Sequence, residues 1–173
     1  MFEDGVAAYE RGDYSTALRL LLPHAEHGHP NAQAYLGAMH ANGEGVPQDF
    51  AEAEIWYRKA AEQNDADTQY QLGSMYSIGL GIPKDHAEAA RWVRKAAEQG
   101  FAKAQNHLGS SYVTGEGVPK DYVSAHMWFD LAAAQGHENA QEKRDIVAKR
   151  MTPDQIAKAQ RLAREWMAKH QQP

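Results

Sequence analysis

A 36-residue repeat is the feature of this sequence that most restricts its fold. A Trp, a Leu-Gly pair, a Pro and an Asp each recur three times at this spacing. They are Trp56, Trp92 and Trp128; Leu36-Gly37, Leu72-Gly73 and Leu108-Gly109; Pro47, Pro83 and Pro119; and Asp49, Asp85 and Asp121. Repeats of this length are typical of proteins whose units bury their apolar faces only by stacking on one another. We therefore predict an array of stacked units.

Each unit has the pattern of two helices joined by a glycine-rich turn. In the first full unit, apolar residues at helical spacing predict helices over about 31–41 and about 50–62. The turn Gly43-Glu-Gly-Val-Pro47 cannot continue a helix. The second helix ends at Asn64, where the other units have Gly, and both residue types tolerate the left-handed conformation of a helix end. These patterns predict an all-α fold.

The start of each second helix has the pattern of a capping box. Asp49 precedes Glu52 by three residues, and Asp85 precedes Glu88 in the same way. An Asp at the N-cap accepts a hydrogen bond from a free backbone N–H, and the acidic side chain three positions later can accept one from the backbone N–H of that Asp. We expect Gly37 and its copies to permit close helix packing, with the Trp of each unit filling the remaining core volume.

The first and last segments differ from the central units. Residues 1–30 form a degenerate repeat with Asp13 and Ala17 in register but Leu20 in place of Trp. Residues 139–173 predict a capping helix pair, whose second helix starts at Thr152-Pro153 and continues to about 169. We expect one solenoid domain over 1–173, with repeats at 31–66, 67–102 and 103–138 between these ends.

The capping helices have apolar and basic residues on different faces. We expect Ile146 and Val147 to be apolar positions of the first helix, and one face of the second to cover the core with the residues Ile156, Ala159, Ala163, Trp166 and Met167. The other face presents the basic residues Lys158, Arg161, Arg164 and Lys169 to water. A polar outer face of this kind keeps a repeat array soluble.

Two segments of the repeat resemble a known family. Gly79-Leu-Gly-Ile-Pro-Lys-Asp85 followed by Ala89-Ala-Arg-Trp92-Val-Arg-Lys-Ala-Ala-Glu-Gln-Gly100 is similar to the Sel-like repeat (SLR) family, a relative of tetratricopeptide repeats. The resemblance covers about 13–140, with His40 where Tyr76 and Tyr112 stand. It implies a right-handed superhelical solenoid that acts as an adaptor or regulator through protein contacts. Many bacterial relatives are exported, so the resemblance favours a periplasmic location over a cytoplasmic one.

Charge and composition exclude several classes of protein. The net charge of −5 argues against non-specific nucleic-acid binding. After residue 140 there are eight Lys and Arg against four Asp and Glu, so an acidic body precedes a basic end. The absence of Cys excludes disulfides and thiolate metal sites. The sequence has no apolar run long enough for a transmembrane helix, and its first residues carry no signal-peptide pattern.

The candidate binding surface lies on the side of the first helix of each unit opposite the core. In the first two units it holds Asn31, Asn42, Asp67, Tyr70 and Ser74; in the third it holds Lys103, Asn106 and Ser110. In solenoids of the tetratricopeptide type this stripe lines the concave groove. Small polar side chains leave room for a partner segment and offer hydrogen bonds, although they equally permit tight curvature. Tyr70 is the best single anchor, because Ala34 and Asn106 occupy the same repeat position.

These observations favour a monomeric scaffold that binds a protein or peptide partner in the groove, without catalytic residues or a cofactor. The alternative is a binder of a metal or small ligand at His24, His27 and His29, or a protein of the hydrolase class that modifies the cell envelope. The loop glycines lack the Lys-Ser/Thr of a phosphate-binding loop, and no nucleophile elbow occurs.

We expect the three histidines to be structural rather than metal ligands, because no Cys or carboxylate completes a recognisable site. Replacing His24→Ala and His27→Ala together should leave the melting temperature nearly unchanged, and so should a chelator added to the wild-type protein. Thermal unfolding and elemental analysis test this. A stoichiometric zinc content that disappears in the double variant would contradict it.

Overall fold

The computed structural model describes residues 1–171, and ten α-helices without a strand make up that part of the chain. The helices are α1 Phe2–Glu10, α2 Tyr14–Glu26, α3 Pro30–Asn42, α4 Phe50–Ala61, α5 Ala66–Ile78, α6 His86–Glu98, α7 Ala102–Thr114, α8 Tyr122–Ala134, α9 Ala140–Ala148 and α10 Pro153–His170. The prediction of an all-α chain built from repeated helix pairs is confirmed.

The contacts between residues divide the chain into two compact parts, each larger than a single repeat, which are called the first unit and the second unit from here on. The first is Met1–Lys84 and contains α1 to α5; the second begins at Asp85 and contains α6 to α10. Within each unit, helices that follow one another up to α9 pack together, and α10 packs against α8. The five-part division of a single domain made above stays a prediction.

Most of the predicted helix ends are present. Asp49 accepts hydrogen bonds from the backbone N–H groups of Ala51 and Glu52 at 3.0 and 3.1 Å. Asp85 accepts one from the N–H of Glu88 at 3.0 Å. The carboxylate of Glu88, however, accepts from Arg91 at 2.6 Å and from Trp92 Nε1 at 3.2 Å. The acidic partner predicted for the capping box therefore serves side chains of its own helix.

The turn between successive repeats requires a residue in the left-handed conformation after the second helix of each repeat. Asn64 has φ 72° there, and the corresponding glycines are also left-handed: Gly28, Gly100 and Gly136 have φ 91°, 88° and 77°. The predicted equivalence of these positions is confirmed. A β-branched residue would be strained in this conformation.

Glycines of the first helices make room for aromatic rings. A Cβ added at Gly37 would lie 2.7 Å from Cδ1 of Tyr57, and one added at Gly109 would lie 2.7 Å from Cδ1 of Phe129. Both distances are too short for a side chain. Close packing at this glycine is therefore confirmed. A ring from the second helix of the same repeat occupies the space.

The three repeated tryptophans differ in burial. Trp92 is 1% exposed and Trp128 is 4% exposed. Trp56 is only partly buried, although it packs against the core of the first unit, and Lys59 Nζ lies 4.3 Å from its ring centroid. The Trp position is therefore buried in the second and third repeats and only partly buried in the first.

A buried glutamine fastens each central repeat to the helix before it. Gln33, Gln69 and Gln105 donate Nε2 hydrogen bonds to the carbonyls of Ala25, Ala61 and Ala97, at 3.1, 3.1 and 3.2 Å. All three side chains are at least 96% buried. A second glutamine closes the turn: Gln63 donates to Gly28 O and Gln33 Oε1 at 2.9 Å, and Gln135 donates to Gly100 O and Gln105 Oε1 at 2.8 Å.

A hydrogen bond from an arginine to a tyrosine joins neighbouring helices in two of the repeats, and a different pair replaces it in the third. Arg94 donates to the hydroxyl of Tyr112 at 2.6 Å, and Arg58 donates in the same way to Tyr76. In the third repeat Asp130 replaces the arginine, and Arg144 on α9 pairs with it at 2.7 Å. The third repeat therefore has an arginine–aspartate ion pair where the earlier repeats have a hydrogen bond from an arginine to a tyrosine.

The predicted capping box and basic face of α10 are present, and one of the two apolar positions of α9 is buried. Thr152 and Gln155 form the expected reciprocal capping box. Ala159 and Ala163 are buried, and the basic residues of α10 are exposed. Val147 is 4% exposed, but Ile146 is 51% exposed. Val147 belongs to a core cluster with Ala125 and Phe129 of α8, whereas Ile146 is an apolar position at the surface.

Replacing Trp92→Ala should lower the free energy of unfolding by about 3–5 kcal/mol, because the ring is fully buried and the space would stay largely empty. Trp56→Ala is the matched control and should cost clearly less, since that ring is partly exposed. Urea unfolding of both variants measures the difference. An unchanged midpoint for Trp92→Ala would show that this ring is not a core residue.

Replacing Gln105→Leu should cost about 1–3 kcal/mol, because the Ala97 carbonyl and the Gln135 amide lose a buried partner. Gln160→Leu, at an exposed position of α10, should change stability by less than about 0.5 kcal/mol. The same unfolding measurement compares them. Equal stability of the two variants would mean that water replaces the lost hydrogen bonds.

Candidate functional site

Several helices of the first unit surround a cleft of about 470 Å³. Three helices supply most of its wall: α1, α3 and α5. The lining residues are Phe2, Val6, Tyr9, Asn31, Ala34, Tyr35, Ala38, Tyr57, Asp65, Asp67, Thr68 and Gln71. Small alanines of α3 leave the space open, while aromatic rings stand around it.

The aromatic wall is held by ring contacts. Tyr9 and Tyr35 meet edge to face, with centroids 5.0 Å apart. Phe2 stacks on His29 at 4.3 Å. Tyr57 is 8% exposed and packs over Gly37. These contacts fix the rings before any ligand arrives, so binding would lose little side-chain entropy.

Carboxylates surround the aromatic wall. The hydroxyl of Tyr9 donates to Glu44 Oε2 at 2.8 Å. Asp65 caps α5 and accepts hydrogen bonds from Thr68 N at 2.9 Å and Thr68 Oγ1 at 2.6 Å. Asp67 is exposed in the first turn of the same helix. The described residues that line the cleft include no Lys, Arg or His.

The ionisation of the tyrosines reflects these charges. Burial, followed by the negative charges of Asp67 and Glu44, raises the pKa of Tyr57 to about 12. Burial and the hydrogen bond to Glu44 raise the pKa of Tyr9 above its ordinary value. Both phenols therefore stay neutral at physiological pH, and the charged side chains of the cleft lining are the carboxylates of Asp65 and Asp67.

The structure brings only some of the predicted groove residues of the first unit to this cleft. Asn31 and Asp67 line it. Asn42 lies at the end of α3, where its Nδ2 is 3.3 Å from Glu44 Oε2. Tyr70 and Ser74 lie on α5, partly buried, and are not among the lining residues.

The remaining predicted groove residues belong to the second unit. Lys103 is exposed in the first turn of α7, and Asn106 is partly buried. Among the described residues, Asn106 Oδ1 is buried without a hydrogen-bond partner. Ser110 lines a separate cavity of about 220 Å³ with Val113, Phe129, Ile146 and others, and accepts a hydrogen bond from Lys143 Nζ at 3.3 Å.

The sequence analysis missed the aromatic wall of the cleft. Phe2, Val6 and Tyr9 are spaced four and three residues apart, so they share one face of α1. That spacing was a usable signal, because an apolar face at helical spacing needs a surface to pack against. Tyr35 is adjacent to Ala34 in the predicted stripe, and only its contact with Tyr9 shows that it faces the cleft.

The three neighbouring histidines have different surroundings. His27 is exposed, and its Nδ1 lies 2.6 Å from the carbonyl oxygen of Pro23. His29 Nδ1 caps α3 by accepting from Ala32 N at 3.4 Å, and its ring stacks on Phe2. His24 lies edge-on to His29, with centroids 6.2 Å apart. Over residues 1–171, no group of three or more His, Cys, Asp or Glu is placed to hold a metal ion.

None of the helices in the described part of the chain has both the length and the apolar character that a membrane crossing needs.

Comparison with known proteins identifies the repeat. The model of the Sel1 repeat matches residues 30–65, 66–101 and 102–137. A crystal structure of a Sel1 repeat protein from Oxalobacter formigenes superposes with a TM-score of 0.80 and 36% identity, covering 84% of this chain and 60% of that one. None of the curated proteins matches.

Two further solved structures are similar. One is c5321, a protective antigen of uropathogenic Escherichia coli strains that displays an SLR fold, with a TM-score of 0.58 and 33% identity over 90% of this chain and 41% of that one. Helicobacter pylori cysteine rich protein B shares the fold at 23% identity, with a TM-score of 0.59 over 75% of this chain and 93% of that one. The chain therefore spans 60% and 41% of the Oxalobacter and Escherichia proteins.

The three matched repeats cover more than half of the sequence, and the repeated helix pairs of the structure agree with them. The chain belongs to the Sel1 repeat family, a class of non-enzymatic repeat scaffolds that generally mediate protein interactions.

Proposed function

We propose that this protein is an adaptor that binds a segment of a partner protein in the cleft between α1, α3 and α5. The observation that carries the proposal is the cleft itself, which combines an open floor at Ala34 and Ala38 with preformed aromatic walls. Aromatic residues are enriched among the side chains that dominate binding energy at protein interfaces.

The size of the cleft supports a peptide segment as the ligand. A volume of about 470 Å³ is sufficient for several side chains, and the polar groups of Asn31, Thr68 and Gln71 stand beside the rings. Such a combination of apolar surface and a few polar groups both binds a segment and fixes its orientation. The small residues of α3 therefore serve binding in this proposal, in addition to any effect on helix packing.

The other predicted groove residues remain part of the proposal, and each unit is considered by itself. Tyr70 and Ser74 are on α5 of the first unit, outside the cleft lining. We propose that they extend the binding surface of that unit. Lys103, Asn106 and Ser110 are on α7 of the second unit, and we propose that they form a separate binding surface there.

A bulky side chain that fills the cleft should weaken the binding of a partner segment without unfolding the protein. Peptides selected from a random displayed library against the intact wild-type protein serve as the probe, and fluorescence anisotropy measures their affinity. Ala34→Trp should weaken binding at least about tenfold, because the new ring occupies the cleft. Ala51→Trp, at an exposed position in the first turn of α4, is the matched control and should bind normally.

Melting temperatures of both variants show whether the fold is retained. Equal affinity of wild type, Ala34→Trp and Ala51→Trp for the selected peptides would place binding on another surface. A library that yields no peptide for the wild-type protein would also contradict the proposal.

A further inference from the structure

The wall of the cleft has the chemistry of a site for a positively charged side chain. The faces of aromatic rings carry partial negative charge and attract cations within about 6 Å. Phe2, Tyr9 and Tyr35 supply such rings, and Asp65 and Asp67 supply full negative charges at the same cleft. A guanidinium group is flat enough to stack on a ring and forked enough to bind a carboxylate.

The negative charges are held in place by the fold. Asp65 is fixed by its two hydrogen bonds to Thr68, and Glu44 is fixed by the hydroxyl of Tyr9. Asp67 is two residues further along, in the first turn of α5, and is more exposed than Asp65. The carboxylates of Asp65 and Glu44 therefore do not need to rearrange when a cation arrives, which reduces the cost of binding.

The charge of the surrounding unit points to the same ligand. Residues 1–84 contain twelve Asp and Glu against five Lys and Arg, whereas the remainder of the chain is slightly basic. A surface with an excess of one charge attracts partners of the opposite charge and increases their association rate. A basic partner would thus be directed to the unit that contains the cleft.

We infer that the cleft binds an arginine side chain of the partner segment, with its guanidinium stacked on an aromatic ring of the wall and paired with Asp67. The inference rests on the proposed function, because it specifies which kind of segment that cleft recognises. Lysine would satisfy the charge but would pair with the carboxylate less specifically, as it lacks the planar fork.

The direct test uses a small probe and does not depend on identifying a partner. N-acetyl-arginine methylamide is titrated into the intact protein while NMR follows the ring resonances of Phe2, Tyr9 and Tyr35. We expect saturable shifts with an affinity on the order of 1 mM. The citrulline analogue has nearly the same shape without the charge, and it should produce no saturable shift at these rings.

Variants of the cleft should remove the response. Asp67→Asn should weaken arginine binding about five- to tenfold, and Asn31→Arg should abolish it by placing a positive charge at the cleft. Glu52→Gln is the matched control: it removes one negative charge from the first turn of α4 in the same unit, outside the cleft lining, and should change the affinity less than twofold.

The outcomes separate this inference from the proposed function. Equal shifts with arginine and citrulline, or none with either at about ten times the expected dissociation constant, would overturn the inference. Loss of affinity of the same size in Glu52→Gln and Asp67→Asn would also overturn it, since only the overall charge would then matter. Selected peptides that bind the cleft without needing a basic residue would leave the proposed function standing while refuting the inference.

Discussion

The buried glutamine at the start of each repeat is the interaction on which the geometry of this protein depends most. Gln33, Gln69 and Gln105 each reach back eight residues to a carbonyl near the end of the preceding helix. Leaving a buried amide without such a partner costs free energy. The angle between the second helix of one repeat and the first helix of the next is therefore narrowly restricted. In the first unit this restriction fixes the orientation of α3 relative to α2 and of α5 relative to α4. The walls of the cleft that α3 and α5 supply are positioned in this way.

The repeats supply a common backbone, and departures from the repeat supply the site. Ala34 and Ala38 leave an open floor, whereas the degenerate first helix brings Phe2 and Tyr9 to its edge. Tyr57 occupies the place that Val93 and Phe129 hold in the later repeats, and its ring packs over Gly37. A scaffold of this kind can change its ligand by exchanging a few side chains, while the hydrogen bonds between neighbouring repeats stay the same.

Properties that depend on a single helix were predictable from the sequence, and properties that depend on a neighbouring repeat were not. The left-handed Asn64 and the Thr152 capping box follow from local chemistry, and both are present. The contact of Tyr9 with Glu44 joins residues 35 positions apart, so no helical wheel could reveal it. The contact of Glu88 with Trp92 was not predicted either, because Glu88 is three residues after Asp85 and four before Trp92, so both a capping role and this contact fit its position.

The central claim is that the aromatic cleft of the first unit is the binding site and that it selects a basic side chain. A crystal structure of the intact protein with a selected peptide tests this most directly. The account predicts an arginine of the peptide with its guanidinium within about 6 Å of the ring centroid of Tyr9 or Tyr35 and hydrogen-bonded to Asp67. A peptide bound on α7 and α9, or an acidic or purely apolar side chain in the cleft, would contradict it.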